Sequence, residues 1–166
     1  LPAYTVLLGL IALLGFMEDE NLFLVDGRWD AHTVPMLLER QPFLIGRNGD
    51  ELMIQIDLDN PRVSKTEGQP IFKEHGGSSD YLQHVNDVLS TIHHGVQANV
   101  GFIEALMRHQ LLEGFTFDLT LDDGSQHRLA GFFTIAEERL AGLDAAAVDK
   151  LHKAGYLQQI YFAMAS

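Results

Sequence analysis

The eight histidines are the side chains of this sequence with the clearest capacity to bind a metal ion. Two histidines on a helix reach one metal when they stand three or four residues apart, because that spacing puts both on one face. The histidines within the predicted long helix stand nine, one and fifteen residues apart: they are His84, His93, His94 and His109. The spacing therefore predicts no metal site, and we expect surface or partly packed imidazoles.

Carboxylates and serines form no catalytic motif here. Asp57, Asp59 and Asn60 begin like a calcium loop. However, Arg62 stands where that loop needs glycine and Gly68 where it needs glutamate, so we expect a solvated turn. The sequence has no G-x-S-x-G, Walker A or G-x-G-x-x-G motif. These patterns predict no catalytic residue and no cofactor.

The best candidate for a recognition site is a group of charged and aromatic side chains within residues 20–45. Its members are Arg28, Trp29, Asp30, His32 and Arg40. An arginine forms paired hydrogen bonds with a carboxylate, and a tryptophan offers a flat apolar face. The alternative is structural: Arg28 or Arg40 pairs with Asp26 or Asp30, and Trp29 fills the edge of the core with its indole N–H bonded to an acceptor. Tryptophan is highly buried on average, which favours the structural interpretation.

A strand, a turn and a short helix must position this group. Residues 21–25 have the composition of a strand, and Asp26 with Gly27 predicts a turn. Asp30 or Thr33 is then expected to cap a helix that ends before Pro42. The apolar residues that this helix turns inward are expected to be Val34, Leu37 and Leu38.

Two hairpins are predicted on either side of a long loop and a long helix. Asn48 with Gly49 joins two apolar runs, which is a strong hairpin signal, and residues 115–121 and 126–135 form the second hairpin. Residues 57–80 predict a loop of unusual length, and loops of this kind are often functional.

The predicted long helix begins at Asp80 after a Ser78 or Ser79 cap and ends near Leu112, before Gly114. Its apolar residues recur at steps of three and four: Tyr81, Val85, Val88, Ile92, Val96, Val100, Ile103 and Met107. Helices over residues 144–153, capped by Asp144, and over residues 156–165 follow, separated by Gly155. The fold class is thus α+β: an antiparallel sheet built from hairpins, packed by one long helix and a C-terminal helical pair.

Composition excludes several classes of function. Eleven Lys and Arg against 23 Asp and Glu give a formal net charge of −12, which disfavours nucleic acids and anionic bilayers as partners. The absence of Cys excludes disulfides and thiol nucleophiles. Residues 1–16 are apolar but fall short of the roughly 20 residues of a spanning helix, so we expect two buried strands interrupted at Gly9 and no membrane span.

The pattern E-N-L-F-x-x-D-G-R-W-D-A-x-x-V-P-x-x-L-x-R-x-P-F over residues 20–43 resembles the SapC family of bacterial proteins, named for an association with surface layers. Further agreement lies in G-Q-P-I-F at residues 68–72, L-A-G-F at 129–132 and G-Y-L-Q-Q-I-Y at 155–161. The chain departs from the family at His32, where many members carry Tyr, and at Gln41, where they carry an aromatic residue. The resemblance implies a single SapC-like domain over residues 1–166 that lacks residues at both ends of a full-length member.

The resemblance also implies a function at the cell surface or in nutrient uptake. We expect a non-catalytic binding or accessory protein, in the cytoplasm or at the cell envelope, that recognises a peptide, a protein or a saccharide. Formation of a homodimer is left open. The competing class is an enzyme, a hydrolase or a metal-dependent oxygenase, with a site of histidine and carboxylates that folding brings together.

Overall fold

A computed structural model describes residues 9–17, 20–122 and 124–165 of the chain. In these ranges the helices number five, and the strands form three two-stranded antiparallel sheets. The elements in chain order are β1 (Leu24–Val25), β2 (Arg28–Trp29), α1 (Met36–Glu39), β3 (Phe43–Asn48), β4 (Glu51–Ile56), α2 (Asp80–Arg108), β5 (Leu112–Thr120), β6 (Gln126–Ile135), α3 (Glu137–Ala141), α4 (Ala145–Lys153) and α5 (Tyr156–Ala165). The predicted α+β class, with one long helix and a C-terminal helical pair, is confirmed.

The chain divides into two compact units. Residues 23–97 form one, which we call the central unit, and residues 1–22 with 98–166 form the other, which we call the terminal unit. The first part of α2 belongs to the central unit and its last eleven residues to the terminal unit. The prediction of a single domain over residues 1–166 stays a prediction.

The central unit begins with a very short hairpin. Asp26 and Gly27 have φ values of 52° and 75°, the left-handed pair that a tight two-residue hairpin loop requires. The turn brings β2 back onto β1, with Leu24 opposite Trp29. The predicted turn is therefore confirmed, but the strand is two residues long and its returning partner was not predicted.

The short helix α1 differs from its prediction in two ways. Pro35 occupies the N-cap position and no side chain caps the helix, so neither Asp30 nor Thr33 has the predicted role. None of the residues of α1 is buried, and Leu37 is 59% exposed. The predicted inward face was wrong because a helix of four residues packs only Leu38 partly out of solvent.

The β3–β4 hairpin is anchored at one end. Its register pairs Phe43 with Ile56 and Asn48 with Glu51, so the predicted hairpin is confirmed. Phe43 is 3% exposed and packs with Val85 and Leu89 of α2 in a small core. Nearer the turn this core no longer covers the two strands, and their apolar side chains are exposed.

The helix α2 starts where the sequence predicts, and its predicted apolar stripe is buried at Val85 and Val88 but not along its later turns. The Oγ of Ser79 accepts a hydrogen bond from the Leu82 N–H at 3.1 Å, which confirms the cap. Val96 and Val100 were assigned to the buried stripe, but they are 65% and 60% exposed. The helix also ends at Arg108 rather than near Leu112.

The core of the terminal unit explains why Val96 and Val100 are exposed. It combines the last turns of α2 with one residue each from β6, α4 and α5, and its buried members are Phe102, Ala105, Leu106, Leu111, Ile135, Leu151 and Ile160. After α2, Gln110 takes a left-handed φ of 55° and turns the chain so that Leu111 becomes fully buried. Gly114, predicted to end the helix, lies within β5.

The C-terminal helices follow their sequence signals. Asp144 accepts a hydrogen bond from the Ala147 N–H at 2.7 Å and thereby caps α4. Gly155, with a φ of 75°, separates α4 from α5. Both predictions are confirmed.

The apolar N-terminal stretch was predicted to form two buried strands. Residues 1–8 of that prediction lie outside the described residues. Residues 10–16 form no strand, and Leu10 and Ile11 are exposed, so the second predicted strand was wrong. Among the described helices, none has both the length and the apolar run that crossing a bilayer requires.

We expect Gly131→Ala to destabilise the protein by about 1 kcal/mol, because Gly131 has a φ of 87° in the bulge where Phe115 pairs with Phe132 and Phe117 with Leu129. Urea unfolding measures the change. The matched control is Gly114→Ala in the same hairpin, where an added Cβ meets nothing within 4 Å and φ is not left-handed. Equal losses for the two variants would contradict the role assigned to the bulge.

The ion pair of Asp118 and Arg128 predicts a pH dependence of stability. The two side chains share hydrogen bonds of 2.6 and 3.1 Å across the β5–β6 hairpin. The hydrogen bond from Arg128 and its positive charge hold the pKa of the Asp118 carboxyl below its ordinary value of 3.8. A depressed pKa gives stability that is present above the ordinary value and is lost as the pH falls through the lowered one.

We therefore expect Asp118→Asn to lower the melting temperature slightly at neutral pH, because exposed pairs contribute little. The difference from the unmodified chain should shrink as the pH falls below 3.8 and vanish below the lowered pKa of the folded state. Arg128→Gln should show the same profile, and the double variant should add nothing further. Differences that persist unchanged at low pH would rule out the ion pair as their cause.

Candidate functional site

A cavity of about 590 Å³ in the central unit combines an apolar floor with a polar rim. The floor comes from the ends of β3 and β4, the segment before the helix and the first turn of α2: it consists of Pro42, Phe43, Ile56, Ile71 and Tyr81. The rim comes from the loop after β4, and its polar members are Arg62, Ser64, Lys65, Thr66, Glu67 and Gln69. An apolar surface with a few convergent polar groups is the usual character of a ligand site.

The floor is continuous with the core of the central unit. The ring of Phe43 meets that of Tyr81 edge-on, with centroids 5.9 Å apart and planes at 64°. The Asp57 N–H donates to the Pro42 carbonyl at 3.0 Å, which closes the hairpin beneath the cavity. The peptide bond between Gln41 and Pro42 is cis. The ring contact and the hydrogen bond tie the floor to the rest of the central unit.

The rim is a loop that is held by hydrogen bonds between residues two or three positions apart in the sequence. The Asp57 carboxylate accepts from the Asp59 N–H at 3.1 Å, and the Asn60 side chain accepts from the Arg62 N–H at 3.0 Å. Such turns, formed by Asp and Asn side chains, are the predicted solvated turn of this segment. The Oγ of Ser64 accepts from two further backbone N–H groups, at 3.2 and 3.1 Å. These hydrogen bonds therefore give the loop a defined conformation, although it contains no helix or strand.

Arg62 ties this loop to α1. Its Nη1 donates to the carbonyl oxygen of Leu38 at 3.3 Å, near the end of that helix. Lys65 and Glu67 complete the charged groups of the rim. The residues of this loop that line the cavity thus include two cations and one anion, whereas the whole chain has 11 cationic side chains against 23 anionic ones.

The terminal unit contains a cavity of similar volume, about 620 Å³, with a different lining. Its described lining residues carry no charge, and Thr134 and Gln159 supply the polar side chains. Its apolar groups, including Phe102 and Leu106, belong to the core of that unit. The cavity of the central unit is the better candidate because several polar groups converge on it.

The predicted recognition group lies close in sequence to the first lining residues, but none of its five members lines the cavity. Trp29 is half-buried, stacks on Phe23 with ring centroids 5.7 Å apart and donates from its indole nitrogen to the Thr33 carbonyl at 3.1 Å. The predicted acceptor for its N–H is therefore confirmed. Arg28, Asp30 and His32 are exposed.

Arg40 has a structural contact that differs from the predicted one. Its Nη1 donates to the Phe43 carbonyl at 2.8 Å. Among the described residues, neither Arg28 nor Arg40 forms an ion pair with Asp26 or Asp30, so that pairing was wrong. The assignment of the group to recognition stays a prediction.

One histidine meets a carboxylate from another element. The Nε2 of His84 lies 2.8 Å from the Oε1 of Glu39, a contact between α2 and α1. The two residues are 45 positions apart in the sequence, so no spacing pattern predicts this contact. In the part of the chain that the structure describes, no three His, Cys, Asp or Glu side chains are grouped so as to hold a metal ion.

The rim residues Arg62 and Lys65 were not predicted as site residues. The signal that pointed to them was the length of the loop over residues 57–80, not any motif.

Comparison with known proteins yields one match. The SapC family model matches residues 6–166, essentially the whole chain. Neither the curated proteins nor the solved structures contain a match.

The two arginines of the predicted recognition group allow a matched test, because Arg40 makes a structural contact and Arg28 is exposed. We expect Arg40→Ala to cost about 1 kcal/mol of unfolding free energy, because it removes the hydrogen bond to the Phe43 carbonyl in a partly buried position. Arg28→Ala should change stability by less than about 0.5 kcal/mol, as for most exposed substitutions. Chemical unfolding of both variants measures this, and an equal cost would refute the structural role of Arg40.

Proposed function

The chain belongs to the SapC family, and from this premise we propose that it is a non-catalytic binding or accessory protein of the bacterial cell surface or of nutrient uptake. It acts in the cytoplasm or at the cell envelope. Its ligand, a peptide, a segment of a protein partner or a saccharide, binds in the cavity of the central unit.

The observation that carries the proposal is the combination of an apolar floor and a turn-stabilised polar rim. The volume of about 590 Å³ lies in the range of roughly 300 to 1,000 Å³ that is typical of small-ligand sites. A ligand of that size gains affinity from the apolar floor and orientation from the rim. Because hydrogen bonds already hold the backbone of the loop, ordering of that backbone opposes binding little.

The two hydroxyl groups of the rim, those of Ser64 and Thr66, support binding rather than nucleophilic catalysis. Ser64 accepts two backbone hydrogen bonds and lies 3.4 Å from the Thr66 hydroxyl. An activated serine needs an adjacent general base instead. The polar groups that surround the cavity, from Arg62 to Gln69, include no histidine. Their chemistry is that of hydrogen bonding and charge recognition.

A variant that fills the cavity tests the proposal. Gln69 is exposed and lines the cavity, so Gln69→Trp should obstruct it. The matched control is Gln83→Trp, at an exposed position of α2 outside the lining. Isothermal titration calorimetry with a panel of short peptides and envelope oligosaccharides should find a class that binds the unmodified protein.

Gln69→Trp should weaken that binding by about tenfold or more, since bulk replaces ligand volume, and Gln83→Trp should leave it unchanged. Circular dichroism of both variants checks that the fold is retained. Binding that survives Gln69→Trp in a folded protein, or a panel in which no class binds, would overturn the proposal.

A further inference from the structure

We infer that the ligand of the central-unit cavity is a peptide with a free C-terminal carboxylate and an apolar last residue. The carboxylate binds Arg62 and Lys65 at the rim, and the apolar side chain lies on the partly exposed residues of the floor, Ile56, Ile71 and Tyr81. This inference rests on the proposed function, whose ligand class it specifies.

The charges of the rim favour an anionic group. Arg62 and Lys65 form no ion pair with any residue that the structure describes, and Glu67 is the carboxylate that shares the lining with them. A bound carboxylate would supply the missing partner. Hydrogen bonds to an ionised group are also stronger than those between neutral groups.

The net charge of −12 does not prevent such binding. At physiological ionic strength, charges separated by more than about 8 Å are largely screened. Asp57 and Asp59 of the same loop lie outside the lining, and acidic residues further away than this distance act weakly on a bound anion, whereas Arg62 and Lys65 would contact it directly. The local balance at the rim determines the preference.

Arg62 is already oriented for this role. One of its terminal nitrogens is bonded to the Leu38 carbonyl at 3.3 Å, and its backbone N–H is held by Asn60 at 3.0 Å. A guanidinium has five N–H donors in a fixed plane, so the remaining donors stay available for a carboxylate. Holding the group in place lowers the entropic cost of binding.

The floor favours a peptide over a saccharide. A saccharide presents many hydroxyl groups, and each loses a hydrogen bond with water unless the site replaces it. Among the five residues of the floor, only Tyr81 has a polar side chain. An apolar peptide side chain makes no such demand and gains by leaving water.

The test uses two N-acetylated tripeptides that end in phenylalanine, one with a free carboxylate and one with a carboxamide. We expect the free acid to bind at least about tenfold more tightly than the amide, and raising the salt concentration should weaken the acid alone. Lys65→Gln should weaken the acid by about threefold to tenfold and leave the amide unchanged.

The matched control is Lys73→Gln in the same loop. Lys73 pairs with Asp80 at 3.2 Å and is absent from the cavity lining, so its loss should affect neither peptide. Lys65 and Lys73 are both exposed, and neither substitution removes a buried contact.

The outcomes separate the inference from the proposed function. If acid and amide bind equally well and Gln69→Trp weakens both, the carboxylate inference is overturned and the binding function stands. If neither peptide binds while a uronic-acid saccharide does, and Gln69→Trp blocks the binding of that saccharide, the peptide inference is overturned and the ligand is a saccharide. If Gln69→Trp changes the binding of no ligand, the cavity is not the site and both proposals fail.

Discussion

The burial of Phe43 is the constraint on which the central unit depends. Its side chain is 3% exposed and joins the start of β3 to Val85 and Leu89 of α2. Its backbone is bonded in both directions to Arg40: the Phe43 N–H donates to the Arg40 carbonyl at 2.7 Å, and the Arg40 guanidinium donates to the Phe43 carbonyl at 2.8 Å. One residue thereby fixes the end of α1, the first pair of the hairpin and the floor of the cavity.

Local signals in the sequence predicted those elements that local interactions specify. The caps Ser79 and Asp144 and the left-handed Gly155 lie where the sequence indicates, because a cap or a helix stop depends on a few adjacent residues. The buried face of α2 could not be predicted in the same way. Val96 and Val100 continue the apolar period of the first turns, yet the residues buried further along are Phe102 and those that pack with it.

The reason is that periodicity identifies apolar positions but does not identify their partners. The last turns of α2 offer apolar residues on more than one side, and the core selects the side that meets Ile135, Leu151 and Ile160. The candidate site was missed for a similar reason. Its floor and rim come from positions between Pro42 and Tyr81 that no spacing rule relates, whereas the dense local composition around Trp29 is satisfied by its neighbours Phe23 and Thr33.

Floor and rim differ in what a substitution there can reveal. Phe43 serves the fold and the cavity together, so its replacement would lower stability and affinity at once, and neither effect could be assigned. The rim positions Lys65 and Gln69 are exposed, and the hydrogen bonds described for the loop are made by its backbone and by other side chains. A change of affinity at these positions therefore reports on the ligand. The specificity of the proposed recognition site therefore resides in the rim, while the buried floor gives it a fixed shape.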